Sequence, residues 1–445
     1  MMTLRRYVIL IFFIFFGTCM MSSQDKFFIS TNKPSYTLPF EFINNMMVIP
    51  IEVNGKELSF LLDTGIENSI IFNFKFKDSI ILKDTEDIIL HGLGEGASLN
   101  ALRSKNNLIR IGKILNLNHM IYVILDEKFD LSAKMGIDIN GIIGGDLFKD
   151  FIVDVNYQNK KLTFYDPKKY VQETCKKCQT FPLEFYRNKP YIKAEVVNDN
   201  GKRSKVKLLI DSGGGDALWL FEGSEKNIKI TGRSFEDFLG QGLSGAVFGK
   251  RSMIDKMILG DFEFENITVS YPDSTSVMSR GKNIDRNGTI GAEILRRFRM
   301  IIDYPNKRIT LKKTRAFNDP FLYNKSGIEL VYGGKMLVKE EHSFIVPSNN
   351  TANSSRSSYP EVIYTYALSF KPSYRISFIR KDSPADLAGL QVDDMVVEIN
   401  GRSVYDKSLQ QIIYELSGLK SKKIKIRVKR NNRQLKFKFE LKDIL

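Results

Sequence analysis

"FLLDTGIENSIIF", residues 60–72, puts an acidic side chain at the end of an apolar, strand-like run and follows it at once with Thr64 and Gly65. An aspartate at the end of a segment that should be buried is costly unless another group shares its charge or satisfies its oxygens. The chain offers a counterpart. "VKLLIDSGGGDALWLF", residues 206–221, has the same layout, and Asp211 falls 148 residues after Asp63. Upstream, "FEFINN" (40–45) is echoed by "LEFYRN" (183–188), each leading into an alternating segment, "MMVIPIEV" or "PYIKAEVV". Downstream, the Gly-rich "HGLGEGAS" (91–98) answers "GQGLSGAVFG" (240–249), with Gly92 and Gly240 each 29 residues after their aspartate. Finally "GIIGGDLFKDFIVDVNYQNKKLTFY" (141–165) matches "GTIGAEILRRFRMIIDYPNKRITL" (288–311), with Gly144 and Gly291 separated by 147 residues.

One Asp-Thr-Gly or Asp-Ser-Gly triplet suits any tight turn, whereas four landmarks in one order at near-constant spacing mark an internal duplication. Each copy reads as Ile/Val/Leu/Phe-rich strands, a Gly-rich hairpin, a short helix ("DLFKDF", "EILRRF") and a closing hairpin. The expected fold is mainly β, since helical stretches are too few and short for βαβ units.

This order of motifs resembles the aspartic peptidases, and a Gly-rich hairpin in both copies is most similar to retropepsin-type lobes. The resemblance implies two duplicated aspartic-peptidase β lobes, over residues 35–170 and 180–315, whose Asp-Thr/Ser-Gly loops meet face to face. It implies catalytic Asp63 and Asp211, supporting hydroxyls at Thr64 and Ser212, and close-approach glycines at Gly65 and Gly213. Flap hairpins would be built on Gly92, Gly94 and Gly96 in one lobe and Gly240, Gly242 and Gly245 in the other. The chain departs from the family at Ile66 and Gly214, where a small Ala or Ser is common, and neither flap carries the tyrosine of pepsin-like enzymes. Two facing carboxylates hold one proton between them because like charges so close cannot both ionise cheaply. The ionised member activates water and the protonated one donates to the scissile carbonyl, so the chemistry asks for neither metal nor cofactor. A trypsin-like reading of "DSGGGD" (211–216), with Ser212 as nucleophile, leaves Asp63 unexplained and finds no suitably placed histidine. Catalytically silent two-lobed binding is the other functional class, although a lone buried carboxylate kept for structure alone would be a liability.

Composition sets the remaining limits. The chain has 445 residues and 43% hydrophobic content, enough for several packed cores. Its formal charge of +15 comes from Lys and Arg spread in alternation with apolar residues, which points to solvated faces rather than to nucleic acid. A basic start, an apolar run at Tyr7–Gly17 and small residues at Ser22 and Ser23 read as a signal peptide over 1–23, with Cys19 in an imperfect lipoprotein box and an uncleaved anchor as the alternative. The expected location is outside the cytoplasm, in the periplasm or cell envelope or extracellular, with membrane contact only through that segment. There Cys175 and Cys178 can form a local disulfide. His91, His119 and His342 show no ligand spacing and read as structural or surface residues.

After Leu311 the pattern changes. "DSPADLAGLQVDDMVVEINGRSV" (382–404) is similar to the PDZ signature, "KSLQQIIYELSG" (407–418) has apolar residues at helical spacing, and "KKIKIRVKRNNRQLKFKFEL" (422–441) alternates as a hairpin. The resemblance implies an α+β PDZ domain over 320–445 that binds peptide C-termini, with Ser326, Gly327 and Ile328 in "NKSGIEL" as carboxylate-loop candidates. "SNNTANSSRSS" (348–358) reads as a polar loop. The expected partners are a peptide or protein substrate and a C-terminal peptide ligand, for a monomer with a pseudo-dimeric catalytic unit.

Overall fold

The computed structural model describes residues 25–72, 80–90, 99–126, 131–172, 174–243, 245–273, 285–346, 361–418 and 422–445. The N-terminal signal-like segment, Gly92, Gly94, Gly96 and the 348–358 loop lie outside them. Among the described residues no helix is long and apolar enough to cross a membrane.

Each copy of the repeat forms its own sheet, and in each the strand that ends in the aspartate is central. Lys56–Leu62 lies between Met46–Val53, antiparallel, and Gly141–Ile143, parallel. Arg203–Ile210 lies likewise between Lys189–Val197 and Gly288–Ile290. Both strands begin in alternation and end on three consecutive buried residues, Phe60–Leu61–Leu62 and Leu208–Leu209–Ile210. A strand covered on both faces loses its polar alternation, which is why the sequence runs apolar right up to each aspartate. The parallel pairings involve short strands of three residues, and the helices of each repeat, Gly145–Phe148 and Ala292–Leu295, are single turns.

A third sheet joins the lobes. Ile152–Asn156 of the first pairs antiparallel with Phe298–Asp303 of the second, with Val153 opposite Ile302. Lys161–Tyr165 and Ser35–Pro39 extend it on one side, Arg308–Lys313 and Cys178–Pro182 on the other. Beneath it one continuous core runs through both lobes and includes Phe148, Phe151, Phe164, Phe298, Met300 and Phe317. Arg299 anchors the seam with its Nε 3.0 Å from Asp154 Oδ1. Cys175 and Cys178 are joined by a disulfide where the chain enters this sheet. The first lobe starts earlier than residue 35, since Phe28–Ile29 already pairs with Ile114–Ile124 and Phe27 is buried.

The C-terminal domain has a separate core of Ile328, Ile376, Val396, Ile412, Ile426 and Leu441, among others. Ser383 caps the Pro384–Leu387 helix by accepting from Asp386 N, and Ser408 with Gln411 forms a capping box on Leu409–Leu416. Asn400-Gly401 and Asn431-Asn432 turn their hairpins with positive φ at both residues. Strands Ile328–Val346 and Glu361–Ile379 continue beyond the domain as a long two-stranded ribbon, on which Tyr364, Tyr366, Leu368 and Phe370 are exposed.

Candidate active site

Backbone hydrogen bonds place the two aspartates by the same rule. Asp63 N donates to Ile143 O at 2.9 Å and Asp211 N to Ile290 O at 3.0 Å, fixing each residue beside the short parallel strand of its own lobe. One turn on, Gly145 N donates to Ile66 O and Ala292 N to Gly214 O, which ties each loop to the helix that follows the second glycine motif. Gly144 is packed against the loop, since a Cβ there would lie 2.2 Å from Asp63 O. The apolar-apolar-Gly motif is therefore the floor on which each Asp-Thr/Ser-Gly loop rests.

The two loops then lock across the lobe interface. Thr64 Oγ1 donates to Ile210 O at 2.7 Å and accepts from Ser212 N at 3.1 Å. Ser212 Oγ donates to Leu62 O at 2.9 Å and accepts from Thr64 N at 3.1 Å. Both hydroxyls are buried, and each satisfies one carbonyl and one amide of the opposite lobe. Gly65 and Gly213 permit the approach: a Cβ on Gly213 would lie 2.3 Å from Asp63 Cγ, and one on Gly65 2.7 Å from Asp211 Cγ. Gly65 N also donates to Asp63 Oδ1 at 2.6 Å, and Gly213 N to Asp211 Oδ1 at 3.0 Å. Burial, and then the neighbouring Asp211 charge, hold the Asp63 carboxyl well above the usual carboxylate range. The structure thus brings together Asp63, Thr64, Gly65, Asp211, Ser212 and Gly213.

Each lobe also reaches into the other through a two-residue turn. Asn44-Asn45 and Arg187-Asn188 all have positive φ, as a type I′ hairpin requires. Asn45 Nδ2 donates to Glu293 Oε2 at 2.7 Å and to Gly215 O at 3.2 Å, while Asn188 O sits where a Cβ on Gly145 would be, 2.6 Å away. These are the repeated "INN" and "YRN" segments, which the sequence marked only as landmarks.

In the second lobe, Ser234–Gly242 and Gly245–Leu259 form an antiparallel hairpin that carries Gly240, Gly242 and Gly245 at and near its tip, with Gly242 opposite Gly245. In the first lobe Thr85–Leu90 and Leu99–Ile111 pair up to Leu90 opposite Leu99, on either side of the segment that holds Gly92, Gly94 and Gly96.

A cluster the sequence did not reveal lies within the first lobe. His119 Nε2 is 2.9 Å from Ser69 Oγ, and its Nδ1 is 3.0 Å from Asp25 Oδ1, the atom order of a serine-protease triad. Ser69 is 2% exposed and His119 1%, the Ser69 hydroxyl donates to Asp146 Oδ2, and Asp146 lies 3.1 Å from His119 Nε2. Hydrogen bonds and charge from Asp146 and Asp25 outweigh burial and push the imidazole up to about 9. A buried imidazole clamped between Asp25 and Asp146, beside a hydroxyl already donated to Asp146, has no open path to a substrate, so the cluster reads as a structural ion pair.

The PDZ-like groove side is built by strand Ile328–Val346 at the sheet edge beside the Leu409–Leu416 helix. The carboxylate-loop expectation needs correction. Ser326 and Ile328 are buried, Ser326 N donates to Asn324 Oδ1 at 3.0 Å and Ile328 N to Ser326 Oγ at 3.2 Å, and Gly327 is wedged against Ser383. These two amides are turned inward to cap their own loop, because a buried N–H is satisfied locally before it can serve a ligand.

Comparison with known proteins adds two family matches. Residues 49–147 match the aspartyl protease family and residues 375–430 match the PDZ domain. The chain is also 35% identical over 60 residues to the probable CtpA-like serine protease of Staphylococcus haemolyticus (strain JCSC1435), a stretch that is 14% of this chain and 12% of that protein.

Proposed function

From an aspartyl protease domain and a PDZ domain in one chain, we propose an exported aspartic endopeptidase that hydrolyses peptide bonds with water activated between Asp63 and Asp211, its PDZ domain recognising a peptide or partner. The observation that carries this reading is the mutual approach of the loops, in which each glycine abuts the opposite aspartate and each hydroxyl bonds the opposite backbone. The pair shares a proton, because burial and the facing carboxylate disfavour ionising both members at once. The ionised oxygen removes a proton from water, the water oxygen attacks the scissile carbonyl, and the protonated partner donates to the carbonyl oxygen. The carboxyl that took the water's proton then passes it to the amine nitrogen as the C–N bond breaks, and the other carboxylate recovers a proton from the diol hydroxyl as the product carbonyl forms, restoring the singly protonated pair. The amides of Gly65 and Gly213 fix the carboxylates in orientation. Two lobes in one chain supply both halves of the site, so a monomer is sufficient.

Serine-type chemistry has little support in these residues. Ser212 Oγ is committed to Leu62 O, and Ser69 is buried with its hydroxyl donated to Asp146. Incubating the purified protein with a mixed peptide library, with and without pepstatin, tests the proposal. Internal cleavage abolished by pepstatin is expected. Peptide binding without cleavage at any pH would identify a silent binder, and cleavage blocked only by serine reagents would identify another site. Export is tested by sequencing the mature N-terminus, expected near Gln24 or at a lipidated Cys19, outside the cytoplasm. An intact Met1 in the cytoplasm overturns it.

A further inference from the structure

We propose that the PDZ domain positions the second-lobe flap, with Phe378 and Arg380 as the positioning residues that hold the Ser234–Gly242/Gly245–Leu259 hairpin over the catalytic pair. The inference rests on the peptidase reading for its consequence, though not for its structural content.

Phe378 is the penultimate residue of the second long strand of the PDZ sheet, Glu361–Ile379. Its ring centroid lies 6.2 Å from that of Phe238 and 5.8 Å from that of Phe248, the two aromatic residues that face each other across the flap hairpin at 5.7 Å. Two residues on, Arg380 is 4% exposed and its guanidinium lies 4.1 Å over the ring of Phe235, on the same flap strand. Arg380 Nη1 is 4.0 Å from Asp237 Oδ1, and Asp237 Oδ2 accepts from Arg251 Nε at 3.0 Å. Arg251 Nη1 reaches Asp216 Oδ1 at 3.1 Å. Asp216 closes the loop that Asp211 opens, and its other oxygen is held by Trp219 and Ser270. An alternating chain of charges therefore runs from a PDZ arginine, through both strands of the flap, to the loop that carries a catalytic aspartate.

The same hairpin also meets the first lobe. Lys134 Nζ lies 4.0 Å over the Phe238 ring and donates to Gln241 Oε1 at 3.0 Å, beside Leu243, which packs against the first-lobe cluster around Met135 and Ile70. Phe238 thus meets both a first-lobe lysine and a PDZ phenylalanine. Glu329 of the PDZ edge strand lies in the field of Asp237, Arg251 and Lys134 at this junction.

A flap must move to admit a peptide and settle again for water to be excluded and the carboxylates aligned. A hairpin that touches both a lobe and a domain with its own core has a resting position that depends on where that domain sits. Small displacements of such elements cost reaction rate out of proportion to lost contacts.

Phe378→Ala and Arg380→Gln in the full chain test the proposal by two readouts. Amide hydrogen exchange across 234–259 should rise in both variants, while exchange in the PDZ core strand Met395–Ile399 stays at the wild-type level. On a cleaved peptide kcat/KM should fall roughly 10- to 100-fold, more through kcat than KM, without moving the limbs of the pH profile. Phe378→Tyr and Arg380→Lys should recover most of the loss. Unchanged exchange at 234–259 in a variant whose PDZ core is intact overturns the proposal. A wild-type chain that cleaves nothing refutes the peptidase reading instead, and the exchange data still decide whether the PDZ domain holds the flap.

Discussion

Removing the crossed hydroxyls should show how much of the site's architecture depends on them. Thr64→Val keeps the side-chain shape but leaves the buried Ser212 amide without its acceptor and deletes the bond to Ile210 O. An unsatisfied buried donor costs roughly 1–3 kcal/mol and the lost bond about 1 kcal/mol, so the variant should lose on the order of 2–4 kcal/mol. Ser212→Ala does the same to the Thr64 amide and Leu62 O, with a similar loss. Because both hydroxyls seat the same pair of loops, the second removal acts on an interface the first has already loosened. The double variant should therefore fall short of additivity by about 0.5–3 kcal/mol. Urea unfolding followed by fluorescence of Trp219, the chain's single tryptophan, reads the lobes alone because the PDZ domain has none. Losses below about 0.5 kcal/mol in each single variant, adding within about 0.3–0.5 kcal/mol in the double, would refute the reasoning.

The buried His119 predicts a pH dependence of the lobes. Its folded value is raised, so the stabilisation is complete below the ordinary value of 6.5 and is lost as pH rises through about 9, an effect of roughly 3 kcal/mol. The stability difference between wild type and His119→Gln should shrink across that window, and a difference independent of pH would contradict the ion-pair assignment. Residues 320–445 carry their own core and should unfold in urea as a single sigmoidal transition. A fragment that lacks dispersed amide signals in NMR would show that this core needs the lobes.

Much of this fold was legible because the duplication repeats local instructions. The apolar run into Asp63 and Asp211, the repeated glycine landmarks and the alternating hairpin at 422–441 each act within a few residues. What escaped the sequence depends on closure in three dimensions. His119 meets Asp25 and Asp146 only after strand Ile114–Ile124 docks in the first-lobe sheet, and nothing near His119 in sequence signals its acidic partners. The carboxylate-loop candidates had a suitable local pattern, but the turn spends Ser326 N and Ile328 N on its own loop. The aromatic contact of Phe378 with the flap joins positions 130 or more residues apart, where each phenylalanine alone reads as ordinary strand packing.

The central claim is that Asp63 and Asp211 act as one unit, and cleavage of a single peptide by wild type, Asp63→Asn, Asp211→Asn and the double variant tests it most directly. Asn preserves the shape of each side chain and relieves the repulsion between the carboxylates, so all three variants should remain folded. Each should lose on the order of 10³-fold or more in kcat, with the double variant no worse than either single one, because a base-and-acid pair fails when either member is removed. Near wild-type turnover in one Asn variant beside a dead partner would contradict the account and place the chemistry on a single residue.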